Sequence, residues 1–138
     1  MILMFDTNIC IYAMNQSEGA DRIWRHISGR SYGEIRVSAI SAAELRYGAE
    51  NGAAKHQAAN IEKLESFMEM FTVEDFPAGA MSDFARIRIS AKAIGKHPGA
   101  YDLLIAAHAS YLGATLITND SSDFEGLDGL IVKNWLNN

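Results

Sequence analysis

Four acidic residues stand at positions where a parallel α/β sheet would bring their side chains together. They are Asp6, Glu44, Asp102 and Asp120. Carboxylates that cluster repel one another and raise one another's pKa unless a cation lies among them. Hard oxygen ligands of this kind favour Mg²⁺ or Mn²⁺. A carboxylate-held metal ion at the edge of such a sheet indicates phosphodiester chemistry.

The elements that must position these acids alternate between apolar strands and amphipathic helices. Strands are predicted at 2–5, 35–38, 72–75, 115–118 and 130–133. Helices are predicted at 7–14, 19–28, 42–51, 54–71, 80–96 and 102–112, and the polar loop 119–126 has room for one helical turn. Strands separated by helices indicate βαβ units, so we predict one α/β domain over residues 1–138, with a mostly parallel sheet flanked by helices.

This arrangement places the four acids at one edge of the sheet, because ligands of such folds bind beyond the carboxyl ends of the strands. Asp6 directly follows the first strand, and Asp120 follows the strand at 115–118 after one residue. Glu44 lies in the first turn of the helix after the second strand, and Asp102 begins the helix that leads into 115–118. A crossover helix runs antiparallel to its strands, so its N-terminus lies at the same edge and its dipole favours phosphate there.

Each acid also has a purely structural interpretation. Asp6 could cap the helix that follows it, and Ser41 with Glu44 has the spacing of a capping box. Asp102 could stabilise its helix through the dipole, and Asp120 could be a turn residue. Four independent structural roles explain the pattern less well, because they would have to place all four acids at one edge of the sheet by chance.

The bulk properties restrict the function less than the acids do. The chain has 138 residues and a single cysteine, Cys10, which fits one domain without an internal disulfide and favours a reducing compartment. We see no signal peptide and no apolar run of the roughly 20 residues that span a bilayer, so we expect a soluble, cytoplasmic protein. The net charge of −5 is unusual for a nucleic-acid enzyme, but four of the negative charges belong to the acids that a metal would neutralise. Net charge therefore neither excludes nor favours a nucleic-acid substrate.

Five segments of the chain form an ordered series of motifs. They are FDTNICIY at 5–12, ISAAELRYG at 40–48, AYDLLIAAHA at 100–109, LITND followed by DF at 116–124, and GLIVKNW at 129–135. Together they resemble the motifs of PIN-domain nucleases, especially VapC-type toxins, over essentially the whole chain. The resemblance implies a metal-dependent ribonuclease that serves as the toxin of a type II toxin–antitoxin pair.

The resemblance also assigns roles to individual residues. The family's acidic positions are matched by Asp6, Glu44, Asp102 and Asp120, and Asp123 is a nearby acid that could replace the fourth. Small hydroxyl residues, expected to orient the acids through hydrogen bonds, are matched by Thr7, Ser41 and Thr118.

On this basis we predict that a metal-activated water hydrolyses an RNA phosphodiester. Asp6 and Asp102 would hold the principal Mg²⁺, for which Mn²⁺ is a plausible substitute. Glu44 and Asp120 would complete its shell through water or hold a second ion. One ion and two ions both remain open.

Four basic residues are candidate RNA contacts: Arg46, Arg88, Lys92 and Lys96. The last three recur every four residues on a helix face that leads toward Asp102, so the stripe could follow an RNA backbone. A solvated helix face is an equal alternative. His108 is predicted to be a packed helix residue rather than a general base.

The resemblance further implies an RNA substrate, a cognate VapB-type antitoxin and a homodimer, without membrane association. Family members cut tRNA, rRNA or mRNA, and these motifs resemble most those of members that cleave initiator tRNA. An antitoxin helix or extended segment would lie in an apolar groove. Candidate walls, which could equally be core, are Ile9, Ile11, Tyr12, Ile23 and Trp24.

Three other functions are alternatives to the toxin. A PIN nuclease could process RNA without being a toxin, and a catalytically silent PIN module could bind RNA or protein, although it would be expected to have lost a central acid. A phosphatase of the haloacid-dehalogenase type requires a second acid two residues after Asp6, where this chain has Asn8.

Overall fold

Five short parallel strands form the centre of the computed structural model, which describes residues 1–137. The strands are β1 Leu3–Phe5, β2 Ile35–Ser38, β3 Thr72–Glu74, β4 Thr115–Ile117 and β5 Ile131–Lys133. Their order in the sheet is β3-β2-β1-β4-β5, and every neighbouring pair is parallel. The predicted α/β class with a mostly parallel sheet is confirmed. Asn138, the last residue of the predicted domain, lies outside the described residues.

Seven α-helices connect and flank these strands within residues 1–137. They are α1 Thr7–Met14, α2 Ala20–Ile27, α3 Ala39–Glu50, α4 Ala54–Met68, α5 Met81–Ala93, α6 Ala100–Leu112 and α7 Ser121–Phe124. A 3₁₀ turn at Ala78–Ala80 precedes α5. None of the helices in this part of the chain is both long and apolar enough to cross a membrane.

The start of α3 differs from the prediction. Ser38 ends β2, and its hydroxyl accepts the Ile40 N–H at 3.1 Å, so the helix begins directly from the strand, three residues before the predicted start. Glu44 therefore lies in the second turn of α3 rather than in the first. The capping-box interpretation of Ser41 and Glu44 is wrong for the same reason.

Three other helix ends differ from the prediction by two or three residues. α4 ends at Met68 rather than 71, because the following turn lets Phe71 pack on Phe5 with ring centroids 5.5 Å apart. α5 ends at Ala93 rather than 96, just before Gly95 takes a φ of +74° that favours glycine. α6 begins two residues before Asp102, so Asp102 lies in its first turn.

Apolar layers on both faces of the sheet fix the strands that lead to the acids. Successive side chains of a strand point to opposite faces. Phe5 accordingly packs with α1, α2 and α4, whereas Met4 packs with α5 and α6. All three β1 residues are buried, so β1 is buried on both faces, as is typical of a central parallel strand. The residue that follows it, Asp6, is thereby held at the carboxyl edge.

Candidate active site

Asp6 is held at the centre of the carboxyl edge by the backbone around it. Its N–H donates to the Ile117 carbonyl at 3.1 Å, and its carboxylate accepts the Ile9 N–H at 2.8 Å. The side chain is only 2 % exposed. Burial raises its pKa to about 6, although hydrogen bonds from Thr118 and the Ile9 N–H act in the opposite direction and Asp102 adds repulsion. The helix-capping role of Asp6 is thus real, and it coexists with a costly buried charge.

Glu44 is held at the same edge by the hydroxyl of Thr7, which in turn contacts the hydroxyl of Ser41. The Thr7 hydroxyl donates to Glu44 Oε1 at 2.6 Å, and Thr7 Oγ1 lies 3.1 Å from Ser41 Oγ. Thr7 and Ser41 are both buried, whereas Glu44 is half-buried. A carboxylate can only accept, so the Thr7 proton is directed at Glu44 and holds it beside the start of α1.

Asp102 and Asp120 complete the cluster from the other side of β1. Burial is the main cause that raises the pKa of Asp102, and the negative charges of Glu44, Asp120 and Asp123 raise it further. The pKa of Asp120 is also raised, chiefly by a hydrogen bond with Asp123. The Asp120 N–H donates to Thr118 Oγ1 at 2.9 Å, which ties the loop after β4 to the hydroxyl that also reaches Asp6.

The structure therefore brings the four predicted acids and Asp123 within electrostatic reach of one another. None of these five carboxylates takes part in an ion pair within residues 1–137. Clustered acids without a basic partner form an environment that favours a cation.

The donor set fits a divalent ion in its chemistry but does not form a ready-made cage. Within the described part of the chain, no three His, Cys, Asp or Glu side chains are gathered closely enough to hold a metal ion as they stand. Mutual repulsion keeps uncompensated carboxylates apart, and a cation would draw them together. Carboxylate oxygens backed by the hydroxyls of Thr7 and Thr118 are ligands that suit Mg²⁺ or Mn²⁺.

Two of the four predicted RNA contacts have other partners. Arg46 pairs with Glu50 and lies 3.5 Å from Glu65, so it is directed along the surface of α3 and α4 rather than at the acids. Lys96 Nζ donates to the carbonyl oxygens of Ser122 and Glu125. Its ammonium thereby holds the short helix α7 that follows Asp120, a role that its position in the sequence did not indicate.

Arg88 and Lys92 are exposed and remain available to a ligand. The guanidinium carbon of Arg88 lies 5.9 Å from the centroid of the Phe84 ring. Both side chains line a cavity of about 390 Å³ with Lys96, His97, Pro98 and Ala100. The cavity adjoins the first turn of α6, the turn on which Asp102 also lies.

The predicted walls of the apolar groove divide into core and surface. Ile9 and Ile23 are fully buried, so they cannot line a groove. Ile11 is exposed and lines a different cavity, of about 290 Å³, between α1, α3 and α4. Tyr12 and Trp24 pack partly against the core.

His108 is fully buried, which confirms the prediction of a packed helix residue. Its Nδ1 lies 2.9 Å from Ser38 Oγ, which joins α6 to the end of β2, and its Nε2 is buried without a hydrogen-bond partner among residues 1–137. Burial lowers the pKa of His108, so the neutral ring is favoured. Two exposed tyrosines that the sequence did not single out, Tyr47 and Tyr101, lie beside the acids. The available signal was their position, because Tyr47 follows Glu44 by three residues and Tyr101 directly precedes Asp102.

A family model for the PIN domain matches residues 3–130. The chain is 36 % identical over 136 residues to ribonuclease VapC2 of Rickettsia felis, with 98 % of both chains covered. It is 30 % identical over 132 residues to the tRNA(fMet)-specific endonuclease VapC of Shigella flexneri, with 96 % of both covered. Among solved structures, it resembles a chain of VapBC2 from Rickettsia felis bound to a promoter DNA fragment, with a TM-score of 0.85, 33 % identity, and 98 % and 99 % of the two chains covered.

Proposed function

The chain belongs to the PIN-domain family as a VapC-type ribonuclease toxin, and from that premise we propose that it is a Mg²⁺-dependent endoribonuclease that cleaves tRNA. The observation that carries the proposal is the convergence of the four acids at the carboxyl edge, with no basic partner among the described residues. Such a site would take a divalent cation together with the phosphate that the cation binds.

The four acids divide into two pairs with different roles. Asp6 and Asp102 would hold the principal ion, while Glu44 and Asp120 would complete its surroundings. When bound, the ion would activate a water and neutralise charge on the phosphate. The hydroxyl of Thr7 orients the Glu44 carboxylate.

The backbone contributes as well. The Ile9 N–H holds one Asp6 oxygen, which fixes the orientation of the buried carboxylate before any ion arrives. The N-terminus of α6 lies at Asp102 and adds positive potential where a phosphate would sit. Asp123 is the alternative to Asp120 as the fourth acid, because the two side chains share a hydrogen bond.

The choice of tRNA is supported by the relative from Shigella flexneri, which is named a tRNA(fMet)-specific endonuclease. Arg88 and Lys92 would contact the RNA backbone, because both are exposed beside the start of α6. A tRNA substrate would place the activity in the cytoplasm. We also propose that two copies of the chain form a homodimer.

A VapB-type antitoxin is the proposed protein partner. The lining of the cavity between α1, α3 and α4 includes the apolar residues Ile11, Met14 and Leu64, and Glu44 lines it as well. An antitoxin segment seated there would reach the acids and block the substrate. The similar solved structures include VapBC complexes from Rickettsia felis and Salmonella typhimurium, which supports a partner of this kind.

The test is cleavage of total tRNA by the purified chain with Mg²⁺, Mn²⁺ or EDTA. We expect discrete fragments that vanish with EDTA and in the Asp102→Asn variant. Asp75→Asn is the matched control, since Asp75 is exposed and follows β3 at the same edge of the sheet. Intact tRNA under every condition would refute the tRNA assignment, and equally intact rRNA and mRNA would refute the nuclease.

A further inference from the structure

A second surface adjoins the acids, and its lining residues other than Glu44 have no role in the mechanism above. A cavity of about 490 Å³ is lined by Ile40, Ala43, Glu44, Tyr47 and Tyr101, and we call it the tyrosine cleft. Its two aromatic side chains are exposed to solvent, with Tyr47 68 % and Tyr101 60 % exposed. Its volume lies in the range of about 300–1,000 Å³ that small-molecule sites occupy.

The tyrosine cleft is continuous with the candidate active site through both of its helices. Tyr47 lies three residues after Glu44 on α3, so the two side chains share one helix face. Tyr101 directly precedes Asp102 in the first turn of α6. Because α3 and α6 pack against each other, a group in the cleft would lie beside a phosphate held at the acids.

The chemistry of the lining restricts what the cleft can bind. Among residues 1–137, Glu44 is the only charged residue that lines the cleft, and no lysine or arginine of this part of the chain does, so the cleft would not attract a phosphate. Two tyrosine rings with flanking Ile40 and Ala43 side chains instead suit an uncharged, flat group. In an RNA strand that group is a nucleobase. Unpaired bases stack on aromatic side chains, whereas bases inside a helix are already stacked on their neighbours.

We propose, on the basis of the nuclease function above, that the tyrosine cleft binds an unpaired nucleobase next to the cleaved bond, against the rings of Tyr47 and Tyr101. The cleft would then restrict cleavage to loops and single strands, because only there is a base free to leave its neighbours. Stacking is tolerant of base identity, so the cleft would select unpaired structure rather than sequence.

The experiment measures binding without cleavage. Fluorescence anisotropy of fluorescein-labelled oligoadenylate is followed with Ca²⁺, an oxygen-liganded ion, for the unchanged chain and for Tyr47→Ala and Tyr101→Ala. We expect each alanine to weaken binding on the order of 10-fold, and Tyr47→Phe and Tyr101→Phe to restore it, because stacking needs the ring. Tyr32→Ala is the control, since Tyr32 is 74 % exposed in the turn before β2, at the opposite edge of the sheet.

An abasic strand identifies the group that is bound. Replacing the adenines with abasic residues should weaken binding to the unchanged chain and should weaken binding to the alanine variants much less. Equal affinity of all variants for oligoadenylate would overturn the proposal. It would also be overturned if light scattering showed that the alanine variants separate copies of the chain, because the cleft would then be an interface between copies.

These outcomes are distinguishable from failure of the nuclease itself. A chain that binds oligoadenylate as expected but leaves all RNA intact with Mg²⁺ keeps its base-binding cleft and loses the proposed activity. Metal-dependent cleavage by the unchanged chain, together with unchanged oligoadenylate binding in the alanine variants, would keep the nuclease activity and refute the base-binding cleft.

Discussion

Replacing Asp6 by asparagine should stabilise the metal-free protein while abolishing its activity. Burial raises the pKa of this carboxyl from 3.8 to about 6. A pKa difference of one corresponds to about 1.4 kcal/mol, so the ionised Asp6 costs the folded state up to about 3 kcal/mol at neutral pH. Asparagine keeps an oxygen for the Ile9 N–H and carries no charge. For a chain of this size the gain corresponds to roughly 10 °C in melting temperature.

The sign of the pH dependence follows from the raised pKa. Between pH 3.8 and about 6 the folded protein binds the Asp6 proton more tightly than the unfolded chain does. The free energy of unfolding therefore falls as pH rises through this window. The unchanged chain and Asp6→Asn should be equally stable near pH 4 and should differ most above pH 6. Thermal and urea unfolding in EDTA across this range measure the difference.

A divalent ion should make the unchanged chain gain stability relative to Asp6→Asn. An ion that binds only the folded state adds about 2.7 kcal/mol at 100 times its dissociation constant, and the unchanged chain should gain this while Asp6→Asn should not. Asp75→Asn serves as the control and should change stability by less than about 0.5 kcal/mol at any pH. An Asp6→Asn variant that is less stable than the unchanged chain in EDTA at pH 7.5 would show that the buried Asp6 charge does not destabilise the fold. A difference in stability that does not vary with pH would show the same.

Three further predictions concern the residues around the acids. Thr7→Val should lower cleavage about 10- to 100-fold with little loss of melting temperature, because Glu44 loses its orienting hydrogen bond. The control Thr115→Val, at the end of β4 away from the acids, should cleave normally. Equal cleavage rates for the two variants would contradict the role of Thr7. Lys96→Met should lower the melting temperature and weaken cleavage, because the ammonium that holds α7 is lost. Lys96→Arg should recover part of both the melting temperature and the cleavage. Unchanged unfolding and cleavage in Lys96→Met would show that Lys96 does not hold α7. Arg88→Gln and Lys92→Gln should each reduce the slope of log affinity against log salt by about one for RNA binding, and an unchanged slope would place both side chains away from the backbone.

The course of the chain was largely predictable, because its strands are short apolar runs and its helices end at clear signals. The bounds of α1 and β2 match the prediction. The start of α3 was missed because Ser38 both ends a strand and caps a helix, so no loop separates the two elements. A polar residue that closes an apolar run is the signal that would have found it.

The positions of the acids followed from topology, whereas the surroundings of the basic residues did not. Lys96 contacts the carbonyl oxygens of Ser122 and Glu125, which a helix-face argument on α5 cannot foresee. Arg46 is different, because its i,i+4 spacing to Glu50 was visible in the sequence and indicated a local ion pair. Periodicity predicts which residues share a face, but it does not predict which chain segment covers that face.

Direct measurement of Mn²⁺ binding tests most sharply whether the converging acids form a metal site. Free Mn²⁺ is followed by electron paramagnetic resonance during titration into the unchanged chain, Asp102→Asn and Asp75→Asn, with tRNA cleavage measured on the same samples. We expect the unchanged chain and Asp75→Asn to bind Mn²⁺ and cut RNA, and Asp102→Asn to lose both together. Undiminished Mn²⁺ binding by Asp102→Asn, or cleavage that persists in EDTA, would contradict it.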